Sequence, residues 1–77
     1  MKEKLKEFFE TELVYAKVGF DQTKNPKHRN DICWNARQRG LGAVDLAQLC
    51  GLDYDTAEKM FYQYCNELEA MEYKDGE

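Results

Sequence analysis

Four side chains in this chain have the chemistry of a metal site: Cys33, Cys50, Cys65 and His28. They would make a Cys3His set, but structural zinc ligands come in short-spaced pairs on turns, and none of these is paired. The reading is therefore no metal and no cofactor. The cysteine count is odd, no Cys-x-x-Cys occurs, and two of the three fall at apolar helical positions, so reduced thiols are expected. His28 reads as an exposed residue of a loop or helix start. No nucleophile is grouped with a base, no glycine-rich loop could cradle phosphate, and no carboxylates pair in a cleft. A small helical domain also has little room for a substrate pocket of roughly 300 Å³. An enzyme is not expected.

What remains is the chemistry of charge. The net charge is −4, but residues 1–40 hold nine Lys/Arg against six Asp/Glu and residues 41–77 hold two against nine, so the halves carry +3 and −7. One part could face phosphate and the other would repel it. Lys27, Arg29, Arg37 and Arg39 are the candidate phosphate contacts. The commoner role of such charges, solvating a loop and a helix face, stands beside that reading.

The elements that must position these groups are helical. Seventy-seven residues fit one small domain with a thin core, and the mixed charge and many aromatics argue against disorder. Leu5, Phe9, Leu13 and Ala16 recur at helical spacing, so residues 2–18 are predicted as a first helix, with Gly19 as its stop. Asn25 and Pro26 would cap and start a second helix over 26–39, closed by Gly40. A short third helix is expected over 43–50 and a long fourth over 54–71, whose stripe runs through Ala57, Met60, Phe61, Tyr64, Leu68 and Met71. A polar tail follows.

Residues 43–62, AVDLAQLCGLDYDTAEKMFY, have the pattern of a helix-turn-helix. Leu46, Cys50, Leu52 and Met60 would be the buried apolar residues, and Ala47 and Ala57 the small residues where two helices meet. Gly51 falls where the left-handed conformation ends a helix, and Asp53 can cap the next. The expected fold is all-α: a four-helix domain, 1–77, containing this unit.

The run over residues 33–61, with Gly40-Leu41, Ala47, Gly51 and Thr56 at its key positions, resembles the helix-turn-helix of LuxR-type regulators and of sigma-factor region 4. The resemblance implies a recognition helix in the major groove, with Thr56 on the DNA backbone and Lys59 and Gln63 over the bases. The partner would be double-stranded DNA, bound by a possible homodimer. This chain departs from the pattern in placing Asp53, Asp55 and Glu58 around that surface with Lys59 the lone cation, against the usual need to neutralise phosphates.

Those acids support an alternative reading: a protein-binding adaptor or inhibitor that presents Tyr54, Asp55, Glu58, Tyr62 and Glu69 to a basic partner such as a nucleic-acid enzyme. Acids in a helix's first turn also stabilise it without any partner. The N-terminal MKEKLKEFFETEL interrupts its apolar residues with charges, so neither a secretory signal nor a membrane span is expected, and the location expected is cytoplasmic.

Overall fold

A computed structural model describes residues 1–74 as three helices: α1 (Lys2–Gln22), α2 (Pro26–Leu49) and α3 (Tyr54–Lys74). Each helix packs against both of the others. The polar tail beyond residue 74 lies outside the described residues.

The start and end signals read from the sequence act where local backbone chemistry demands them. Asn25 accepts from the Lys27 backbone N–H at 2.9 Å and also from His28, while Pro26, which has no N–H to satisfy, opens α2. At the other end Gly51 takes φ +107°, donating to Gln48 O while Leu52 donates to Ala47 O, each at 3.0 Å. Those two bonds form a Schellman cap, and the positive φ explains the glycine. Asp53 then caps α3: its carboxylate receives the Thr56 backbone N–H at 2.9 Å and the Thr56 hydroxyl at 2.8 Å.

The expected four helices are three, because Gly40, read as a stop, lies inside a helix. Gly40 does not close α2, and residues 43–50 continue it instead of forming a third helix. A Cβ at Gly40 would sit 2.9 Å from Tyr64 Cε2 and 3.1 Å from Phe61 Cε1, so this glycine admits the aromatic rings of α3 to the α2 backbone. Gly19 likewise lies within α1, where a Cβ would meet Ile32 Cδ1 at 3.2 Å. The unbroken 24-residue α2 is about 36 Å long at 1.5 Å per residue, close to the 40 Å long axis of the molecule.

The continuous α2 also corrects part of the expected core. Its buried row runs Arg29, Cys33, Ala36, Gly40, Val44 and Ala47, which leaves Leu46 one position out of register and exposed. Cys50, expected inside, is exposed as well, while Leu52 and Met60 pack half-buried against the core. Ala47 and Ala57 are buried, and the chain does bend at Gly51 between them. The centre is Tyr64, whose ring stacks on Phe9 at 4.6 Å between centroids and whose hydroxyl donates to Ala36 O at 2.9 Å.

Arg29 closes the opposite end of the bundle. Only 4% exposed, it donates from Nη1 to Phe20 O and Thr23 O and from Nη2 to Met71 O and Glu72 O, with Nε also on Glu72 O. These are carbonyls near the C-terminal ends of α1 and α3, which lack intrahelical donors and sit at the negative end of each helix dipole. The guanidinium also lies 4.8 Å over the Phe20 ring.

Two sets of substitutions follow. Replacing Gly40 with Ala should cost about 1–3 kcal/mol by overpacking, whereas Gly42→Ala, with nothing within 4 Å of the added carbon, should gain about 0.5–1 kcal/mol. Opposite shifts in thermal midpoint would verify the assignment. Arg29→Met, which strands one buried and several partly buried carbonyls, should lose on the order of 3 kcal/mol in urea unfolding, with Arg29→Lys recovering only part. A wild-type midpoint for the Met variant would refute the capping role.

Candidate functional site

Three of the four cations proposed to meet phosphate are engaged within the fold. Arg29 is the buried cap just described. Arg37 pairs with Glu69 of α3, and Arg39 pairs with Glu12 of α1 at 2.8 Å from Nε to Oε1. Glu12 is itself buried on the α1 row that faces the core, so Arg39 serves first to neutralise an interior carboxylate. Lys27, on the first turn of α2, is exposed.

The side chains assigned to a recognition helix divide in the same way. Thr56 is half-buried, with its N–H and hydroxyl both spent on Asp53, and this contact holds the Asp53 carboxyl below its ordinary range. Lys59 and Gln63 are exposed. Tyr54 and Tyr62 are 65% and 58% exposed, Asp55 is exposed and Glu58 is half-buried. The Glu58 carboxylate, by hydrogen bonding and by its charge, pushes the Tyr54 hydroxyl up, which places the two side chains together one turn apart.

Helix periodicity sets Tyr54, Glu58, Tyr62 and Glu69 on one row of α3. The Arg37–Glu69 pair ties that row to α2. Trp34 and Leu41 lie at i−3 and i+4 from Arg37, and Tyr62 and Tyr73 at i−7 and i+4 from Glu69. All four are largely solvent-exposed, Trp34 at 59% and Tyr73 at 66%. The result is a face of aromatic and apolar side chains around a central ion pair, with further acids on the α3 side. Neither Trp34 nor Leu41 carries a binding role in the sequence analysis. Their i, i+7 spacing on one helix was the available signal, hidden by the assumption that Gly40 ended it.

All three cysteines are free thiols, Cys33 buried, Cys65 half-buried and Cys50 exposed. Among the described residues, no three His, Cys, Asp or Glu side chains are grouped to hold a metal ion. Burial pushes the Cys33 thiol from 9.0 to about 11, with a hydrogen bond to Glu72 adding to it, and burial also raises Cys65. Both favour the protonated, unreactive form. Compared with protein-family models, with curated proteins and with solved structures, the chain matches none.

Thiol chemistry gives a direct test of this arrangement. In the native protein at pH 8, a disulfide reagent should modify exposed Cys50 promptly, half-buried Cys65 more slowly, and Cys33 only on unfolding. Because the folded chain binds the Cys33 proton more tightly than the unfolded chain, its contribution to stability is intact below about pH 9 and is lost as pH rises toward about 11. A Cys33→Ala variant should show a shallower alkaline decline than wild type in that window.

Proposed function

We propose that this chain is a non-catalytic protein-binding module, an adaptor or inhibitor, that docks a basic partner protein through the α2–α3 face. The supporting observation is the contrast in how the charged groups are used. Arg29 and Arg37 are committed to contacts inside the fold, and Arg39 gives its Nε to Glu12 while its side chain stays half-exposed. Tyr54, Asp55 and Tyr62 are left exposed along α3 with Glu58 and Glu69, and Trp34 is exposed on α2 one turn from Arg37. Phosphate binding draws its affinity from cations that are not otherwise neutralised, and of the side chains proposed to contact DNA this arrangement leaves Lys27 and Lys59 as the cations without an ion pair among the described residues.

The face has the composition of an interface centre. Tyrosine and tryptophan bring large area with few rotatable bonds, and their ring faces attract guanidinium and ammonium groups. Glu58 and Asp55 supply opposite charge to the same partner and would speed its approach. Glu69, already paired with Arg37, fixes the middle of the face in place and takes a smaller part in attraction. No helix among the described residues is long and apolar enough to cross a membrane.

Trp34 is the only tryptophan, so its fluorescence reports on this face alone. Titration with an arginine-rich helical peptide should shift Trp34 emission to the blue, and a combined Tyr54→Ala, Tyr62→Ala variant should weaken binding by about tenfold or more. The DNA-binding reading is tested in parallel by duplex mobility at two salt concentrations. A salt-dependent duplex shift, together with no Trp34 response to the cationic peptide, would overturn the proposal in favour of nucleic acid.

A further inference from the structure

A second surface, on the other side of α2, has a different character. Between the first turns of α1 and the last turns of α2 runs an open groove of about 510 Å³, floored by Leu5, Ala43 and Ala47 and walled by Phe8 and Leu46. Leu46 is 60% exposed, and Leu49, one turn further along α2, is 85% exposed. In a chain of net charge −4, the charged residues lining this groove are two cations, Lys4 and Arg39, with no carboxylate among the described residues there. Lys4 makes no ion pair among those residues. Arg39 gives Nε to Glu12, and its Nη groups have no hydrogen-bond partner there.

Gly42 supplies an independent observation. It lies inside α2, where glycine destabilises a helix by roughly 0.5–1 kcal/mol relative to alanine. Gly40 is required by the rings of Tyr64 and Phe61, but a Cβ at Gly42 would meet nothing within 4 Å. Packing within this chain therefore does not require a glycine at that position. Its effect is to leave the α2 backbone bare at the wall of the groove, where another helix could approach closely.

We propose that this groove seats an amphipathic helix of a partner protein, with an apolar ridge entering between α1 and α2 and carboxylates flanking that ridge to meet Lys4 and Arg39. Two antiparallel helices already form two sides of the seat, and a third laid along them would cover Phe8, Gly42 and Leu46 together. The rim charge selects an acidic helix over a basic one, the opposite of the selection made by the α2–α3 face. The two surfaces flank α2, so one molecule could bind two partners of opposite charge.

The test uses the full chain and a synthetic helical peptide of about sixteen residues with leucines at i, i+4 and i+7 flanked by glutamates, compared with the same peptide carrying lysines. Amide shifts at Phe8, Gly42 and Leu46 should saturate with the acidic peptide, which should bind at least about fivefold more tightly than the basic one. Lys4→Glu should remove that preference. Gly42→Leu, at a position with open space, should keep the fold by circular dichroism and weaken binding by about tenfold. No saturable binding of the acidic peptide, equal affinity for both peptides, or binding unaffected by Gly42→Leu would each overturn the proposal. So would a wild-type dimer that Gly42→Leu dissociates, since the groove would then belong to a second copy.

Discussion

The bundle depends on one guanidinium at the end where two helices stop. α1 and α3 both finish beside the start of α2, so two negative dipole ends and their unpaired carbonyls are brought together. Left alone, they would repel each other and lose water without compensation. Arg29 answers both with one rigid fork, reaching Phe20 O and Thr23 O on one side and Met71 O and Glu72 O on the other. A planar group with several fixed donors suits this better than a lysine, whose ammonium is a single point. The same geometry explains why the arginine stands in the first turn of α2, where a positive charge is otherwise unfavourable: the neighbouring helix ends outweigh the dipole of its own helix.

What the sequence disclosed and what it concealed divide along the distance over which each residue acts. Gly51, Asp53 and the Asn25-Pro26 pair act on backbone within a few residues, so their roles could be read directly. Gly19 and Gly40 act on Ile32, Phe61 and Tyr64, which are thirteen to twenty-four residues away. A glycine that stops a helix and one that lets a ring reach a backbone look the same in one dimension. That ambiguity turned three helices into four, and it carried Leu46 and Cys50 into a core they do not enter. The all-helical class survived, because the apolar stripes of α1 and α3 do not depend on where α2 is divided.

The candidate site was legible in its acids and tyrosines and illegible in its cations. Tyr54, Glu58 and Tyr62 share a helix, and their common row follows from periodicity. Whether an arginine is available to a ligand depends on the other helices. Arg37 and Arg39 are only two positions apart, yet they diverge to α3 and α1, meeting Glu69 and Glu12. Each pair ties α2 to a different neighbour, so the basic cluster seen in sequence is spread around a helix and partly used in holding the bundle in register.

A core this thin makes its surfaces informative. The buried apolar set is short and includes four alanines, so the fold has little stability in reserve. Even so, the chain leaves Trp34, Tyr62 and Tyr73 exposed around one ion pair, and Leu46 and Leu49 exposed beside Gly42. Each exposed aromatic or leucine forgoes burial, and Gly42 forgoes helix propensity as well. Scattered single residues of this kind are ordinary on any protein surface, but clustered ones concentrate apolar area where association can remove it from water. The two clusters flank α2, whose ends are both capped by local chemistry, Asn25 at one and the Gly51 turn at the other. A helix anchored at both ends can carry exposed apolar side chains on two sides with its backbone held in place.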